Sequence, residues 1–221
     1  MPKTVLVTGA NRGIGLEICR QLLERGDHVI AACRSVSNAL TALDVRVEEG
    51  VDVSSEDSVA HLVRRLSGEP IDWLVNNAGI LTRESLSSMD FGAVRWQFEV
   101  NAMGPLRVTH ALLPQLGPGA KVGIVTSRMG SIADNTSGSR YGYRMSKAAV
   151  NMAGVSLAHD LRERGVAVAL LHPGFVQTDM TGGRGNVPPS EAAAGLIARM
   201  DGLSMDNTGT FWHANGEVLP W

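Results

Sequence analysis

The chain has 221 residues, of which 44% are hydrophobic and 19% charged, enough for one large domain with a real core or at most two small ones. Twenty Lys and Arg against 22 Asp and Glu leave a formal net charge of -2, which offers no electrostatic footprint for nucleic acid or an acidic membrane surface. The only two cysteines, Cys19 and Cys33, exclude a disulfide framework and suit free thiols in a reducing cytosol, and no apolar run approaches the roughly 20 residues of a membrane span.

Met1-Pro2-Lys3-Thr4 leads straight into the strand Val5-Leu6-Val7, without signal-peptide architecture. A helical pattern follows from Gly13 to Glu24. His28 to Cys33 reads as a second buried strand, and Val45 to Val53 holds a third. Ser55 has the character of an N-cap, with Val59 in the first turn and Leu62, Val63 and Leu66 on one face beyond it. Ile71 to Val75 is a fourth strand. A long helical region runs from about Phe91 to Leu113, then a strand from Val122 to Thr126 and a helix from Tyr143 to Arg164. Val166 to Leu171 is apolar without alternation, as a parallel strand buried on both faces requires. A helix from Ser190 to Met200 and a strand from Thr210 to Trp212 close the chain. The alternation predicts an α/β, Rossmann-type doubly wound fold: a mostly parallel seven-stranded sheet with helices on both faces. Thr181 to Pro189 is the only long stretch of turn chemistry and is too short to separate domains, so a single domain over 1–221 is expected.

Thr8-Gly9-Ala10-Asn11-Arg12-Gly13-Ile14-Gly15 sits where the first strand hands over to the first helix. Glycines there permit a tight turn and let backbone N–H groups approach a pyrophosphate at the positive end of the helix. The spacing is not that of the G-x-G-x-x-G fingerprint, and a glycine-rich turn alone also fits a loop with no ligand. The second strand ends Ala31-Ala32-Cys33-Arg34, without the carboxylate that binds the ribose of NAD. Arg34, with Arg12 from the glycine loop, instead suits the 2′-phosphate of NADP(H). Cys19 and Cys33 have no His or second Cys at metal spacing, so no metal site is expected.

With Tyr143-x-x-x-Lys147, the chain resembles the single-domain short-chain dehydrogenase/reductase family over essentially its whole length. The shared pieces, in order, are Thr8-Gly9-x-x-x-Gly13-Ile14-Gly15, Asn76-Asn77-Ala78-Gly79, Asn101, Ser127, Tyr143-x-x-x-Lys147 and Pro173-Gly174. Val29 to Arg34, Gly130 to Thr136 and the ending Gly216 to Trp221 are most similar to the subgroup of sniffer-type and C-factor-like carbonyl reductases. The resemblance implies that Asp52 and Val53 meet the adenine and that Asn77, Ala78 and Gly79 line the cofactor cleft. Pro173, Gly174, Val176 and Thr178 would then lie at the nicotinamide end. It also implies that Asn101 anchors a water chain behind Lys147, and that the chain dimerises through the helices Phe91–Leu113 and Tyr143–Arg164.

The chemistry is coherent on its own terms. Carbonyl reduction needs a hydride donor and an acid for the developing alkoxide. Tyr143 can serve if nearby positive charge pulls its phenol down, and Lys147 lies one helical turn away on the same face. Ser127, at a strand end, is placed to hydrogen-bond the substrate oxygen. The expectation is a cytoplasmic NADPH-dependent oxidoreductase that reduces a small-molecule aldehyde, ketone or quinone. It would have no nucleic-acid or membrane partner and would be homo-oligomeric, with a dimer favoured. The alternative is a cofactor-binding signalling protein of C-factor type, since such a fold does not itself dictate catalysis.

Overall fold

The computed structural model describes residues 1–221. Its seven strands are β1 (Thr4–Thr8), β2 (His28–Cys33), β3 (Arg46–Glu49), β4 (Trp73–Asn76), β5 (Lys121–Val125), β6 (Ala167–His172) and β7 (Thr210–His213). They form one sheet in the order β3-β2-β1-β4-β5-β6-β7, and every neighbouring pair is parallel. The expected doubly wound sheet is therefore present, and it is wholly rather than mostly parallel.

The helices are α1 (Gly13–Glu24), α2 (Asn38–Thr41), α3 (Glu56–Leu66), α4 (Phe91–Phe98), α5 (Gly104–Ala111), α6 (Tyr141–Asp160) and α7 (Pro189–Asp201). Successive strand residues point to opposite faces, so β1 feeds two cores at once. Val5 and Val7 pack with Ile18, Leu22 and Leu196 under α1 and α7. Leu6 packs with Leu62, Val108 and Val150 under α3, α5 and α6. Burial on both faces explains the unbroken apolar runs of β1, β5 and β6.

Local signals set the helix starts. The Ser55 hydroxyl accepts the Ser58 N–H at 3.3 Å, with Glu56 and Asp57 in the first turn and Arg64 and Arg65 in the last, both favourable to the helix dipole. Asp90 caps α4 through the N–H groups of Gly92 and Ala93.

Four elements depart from the sequence expectation by more than two residues at an end or were not expected at all. The helix expected from Phe91 to Leu113 is broken into α4, a five-residue π-helical turn at Glu99–Met103, and α5. Pro105 supplies the reason: it has no N–H for the carbonyl four residues back, and its ring crowds that carbonyl. α6 begins at Tyr141, ahead of the expected Tyr143, and ends at Asp160, with Arg162–Arg164 in a 3-10 turn. β3 is shorter than Val45 to Val53, because the chain leaves the sheet where the Ser58 hydroxyl accepts the Asp52 N–H. The short α2, unexpected from sequence, is held by the Ser37 hydroxyl accepting the Leu40 N–H.

The chain runs outward through β1, β2 and β3, then returns to β4 on the other side of β1. Connections above β1 and β4 therefore diverge and leave a crevice at their carboxyl ends, the usual ligand position in such sheets.

Candidate active site

That crevice is a cleft of about 520 Å³, within the usual range for small-molecule sites. Its floor is the glycine loop. Gly9 has φ +66°, and a Cβ there would stand 2.8 Å from the Ala78 Cα. A Cβ on Gly15 would strike the Gly9 carbonyl oxygen and come 2.5 Å from Asn77 Nδ2. The loop is tied to the end of β4 from both sides. Asn77 Nδ2 donates to the Thr8 and Gly9 carbonyls at 3.0 and 3.1 Å, and the Thr8 hydroxyl accepts the N–H groups of Asn77 and Ala78. Unlike α3 and α4, α1 has no side-chain cap, and unlike α3 it has no acidic residue in its first turn. Its first N–H groups are thus left for a ligand, and these features fit a dinucleotide pyrophosphate.

Of the residues expected to hold a cofactor, Gly9, Asn11, Arg12, Gly13, Ile14, Arg34, Asp52, Val53, Asn77, Ala78, Gly79 and Thr178 line this cleft. Gly15 packs behind the loop. Pro173, Gly174 and Val176 lie outside its walls. Val176 is buried and bridges to Val187, and Gly174, at φ +92°, lets the chain turn past Val187.

The two arginines are in different states. Arg12 Nη1 is 3.3 Å from Asp179 Oδ2 across the cleft mouth, so it does not stand free as expected. Arg34 is exposed and has no ion pair, but it acts on Asp52. Burial raises that carboxyl, yet hydrogen bonds from Ser54, helped by Arg34, hold it below its ordinary value. Ala32 is wholly buried in the α3-side core, so the absence of a carboxylate there says nothing about the cleft. Cys33 lines the cleft instead, as does Ile80 after β4; strand alternation could have identified the former.

At the inner end of the cleft, a Cβ on Gly79 would lie 3.3 Å from Asn101 Oδ1 and 3.8 Å from Lys147 Nζ, so the cofactor-side wall abuts a second polar cluster. Asn101 sits in the π-helical turn. Its Oδ1 accepts the Ile80 N–H at 2.8 Å, and its Nδ2 donates to the Ile80 carbonyl and the Ser146 hydroxyl. The side chain thereby fastens the loop after β4 to α6. Ser127 lies two residues beyond β5 and caps a 3-10 turn, its Oγ accepting the Met129 N–H at 3.1 Å. Lys147 is buried and donates to the Val125 carbonyl at 2.9 Å, with Nζ 5.7 Å from the centre of the Tyr143 ring.

Electrostatics here depart from the expectation. Burial raises the Tyr143 phenol above its ordinary value; the Ser127 hydroxyl and the Arg140 guanidinium work against that rise without cancelling it. Arg140 is the cation that opposes the rise at the phenol. The Lys147 ammonium is itself depressed to about 8 by burial. Sequence spacing identified the Tyr143–Lys147 pair but missed Arg140, which lies in the segment leading into α6. His172 is pushed down to about 3 by burial and stacks edge-on against His213 at 4.9 Å, consistent with a structural histidine.

The family model for short chain dehydrogenase matches residues 3–187. The chain is 49% identical to 1-hydroxy-2-glutathionyl-2-methyl-3-butene dehydrogenase of Rhodococcus sp. (strain AD45), covering 99% of both chains. It is 47% identical to the C-signal of Myxococcus xanthus over 69% of this chain and 93% of that one. Among solved structures, NADPH-bound carbonyl reductase from chicken fatty liver superposes with a TM-score of 0.90 at 30% identity, covering 100% of this chain and 99% of the other. The chain belongs to the short-chain dehydrogenase family of oxidoreductases.

Proposed function

We propose that the protein is an NADP(H)-dependent carbonyl reductase in which Tyr143 is the proton donor. The observation that carries this reading is the meeting of two clusters at Gly79: the uncapped, glycine-floored cleft on one side, and Ser127, Tyr143, Lys147 and Asn101 on the other. NADPH, when bound, would supply the hydride. The residues of the glycine loop and the first turn of α1 would hold its pyrophosphate, and Arg34 its 2′-phosphate. NADPH in the solved carbonyl reductase relative supports that preference.

Ser127 donates a hydrogen bond to the substrate oxygen and keeps it beside the Tyr143 phenol. The phenol gives its proton to the oxygen as negative charge develops there. The phenol is protonated at neutral pH even at its ordinary pKa of about 10, and burial pushes it further up, so it stands in the form that reduction requires. Lys147, within a turn of Tyr143 and at the edge of the cleft, would pair with the cofactor ribose once its bond to the Val125 carbonyl is exchanged.

The substrate is a small aldehyde, ketone or quinone, and the cofactor and substrate sites share one domain. No helix is long and apolar enough to cross a membrane, and the protein is proposed to act in the cytoplasm. Exposed Phe91, Trp96, Met103 and Leu106 around α4 and α5, with Met145 and Met152 on α6, support self-association as a dimer through those helices. A second reading, a cofactor-binding signalling protein with little turnover, is favoured by the likeness to the C-signal. The experiment that separates the two is NADPH consumption across a panel of aldehydes, ketones and quinones. Saturable turnover supports the reductase, whereas tight NADPH binding without turnover supports the signalling protein.

A further inference from the structure

The approach to α6 is unusual. Gly138, Ser139 and Arg140 have φ values of 62°, 54° and 53°, three consecutive residues in the left-handed region, two of which carry side chains that disfavour it. Such a turn persists only where its surroundings hold it. On one side the Arg140 N–H donates to the Glu84 carbonyl at 2.8 Å. On the other, a single side chain does most of the holding. Arg144 Nε donates to the carbonyls of Gly138 and Ser139 at 3.1 and 3.2 Å, and its Nη2 to the Ser137 hydroxyl at 2.9 Å.

The fourth contact reaches a different element. Arg144 Nη1 donates to the Met129 carbonyl at 3.4 Å, and Met129 is the residue whose N–H the Ser127 hydroxyl accepts. One guanidinium thus joins the turn that carries Ser127 to the turn that carries Arg140, from the position next to Tyr143. Its charge does not explain its presence. Arg144 has no carboxylate partner, and a cation in the first turn of a helix opposes the helix dipole. What the site uses is the planar fork, which serves acceptors in several fixed directions where an ammonium cannot.

We propose that Arg144 is a positioning residue of the active site: its guanidinium fixes the Ser127 hydroxyl and the Arg140 side chain relative to the Tyr143 phenol, without touching substrate or cofactor. The inference rests on the reading of Ser127 and Tyr143 as the groups that meet the carbonyl. Displacements of an ångström in such groups cost up to about a hundredfold in rate.

The test measures NADPH-dependent reduction of a model aldehyde by the full chain, with Arg144→Met, Arg144→Lys, Ser127→Ala and the double variant Ser127→Ala/Arg144→Met. Arg144→Met is expected to lower kcat by about 10- to 100-fold while the Kd for NADPH stays within about twofold. In the Ser127→Ala background the same change should cost no more than about threefold, because the hydroxyl it positions is gone and only its smaller effect through Arg140 is left. A residue that served only the stability of the fold would cost the same in both backgrounds, and that result overturns the proposal. So does a kcat within about threefold of wild type for Arg144→Met. Should Arg144→Met fail to fold, Arg144→Lys carries the test: native circular dichroism with kcat lowered about tenfold supports positioning, and wild-type kcat refutes it. Full activity in Ser127→Ala would overturn the reading of the site together with the proposal, whereas a slow Ser127→Ala with additive losses overturns the proposal alone.

Discussion

Arg34→Ala tests cofactor choice at one side chain. Arg34 lines the cleft at the end of β2 and has no ion pair, so its fork is free for a 2′-phosphate. The competing cation, Arg12, pairs with Asp179 through side chains that are 67% and 76% exposed. Such an exposed pair contributes at most about 1 kcal/mol, so a phosphate can draw Arg12 away at small cost. A hydrogen bond to a charged group contributes about 1.5–3 kcal/mol, and solvent at Arg34 favours the lower end. Removing Arg34 also leaves the ionised Asp52 facing the phosphate with less compensation. The expected loss of NADPH affinity is therefore about tenfold, and the affinity for NADH should change less than about twofold. Arg12→Ala should weaken NADPH less than Arg34→Ala does, because part of that contact is already spent on Asp179. Fluorescence titration of both cofactors at one fixed ionic strength reads these numbers. Equal weakening of NADPH and NADH by Arg34→Ala would refute the reasoning, because a residue that reads the phosphate cannot affect both alike.

Lys147 has a folded pKa depressed to about 8 against an ordinary 10.5, so between those values the unfolded chain binds the extra proton and stability rises with pH. Lys147→Met is accordingly expected to melt higher than wild type at pH 7, with the gain shrinking as pH rises from about 8 to 10.5; thermal melts across that range check the sign. Gly15→Ala forces a Cβ onto the Gly9 carbonyl and Asn77 and is expected to weaken NADPH binding at least about tenfold, with a melting temperature several degrees lower. Sedimentation at micromolar concentration should show about twice the chain mass, and Met152→Glu should shift it toward the monomer; a wild-type monomer would remove the dimer.

The order of strands and helices was legible because each carries its own period: unbroken apolar runs for strands buried on both faces, and spaced apolar residues for the helices that cover them. α1 and β2 were placed to the residue, since a glycine turn and a charged strand end mark their limits. The break at Glu99–Met103 was hidden, because a π-helical turn has no distinct periodicity; Pro105 was the available clue. At the site, the glycine loop and the Tyr143–Lys147 spacing could be read directly. The side-chain states could not. Arg12 engages Asp179, distant in sequence, and Lys147 turns to the Val125 carbonyl. Ala32 faces a core because β2 is flanked by β1 and β3 and covered on both faces, which local composition cannot reveal. Arg140 acts on Tyr143 only because the left-handed turn folds the preceding loop back over α6.

The central claim is that the Tyr143 phenol delivers the proton while the cofactor is held elsewhere. Tyr143→Phe removes one oxygen and leaves the ring, Lys147, the glycine loop and Arg34 in place. The measurement is kcat for carbonyl reduction by this variant alongside its Kd for NADPH. General acid catalysis contributes about 10²- to 10⁴-fold, so kcat should fall by at least about a hundredfold with NADPH affinity within about twofold of wild type. Retention of most of the turnover would contradict the account by removing Tyr143 from the acid role.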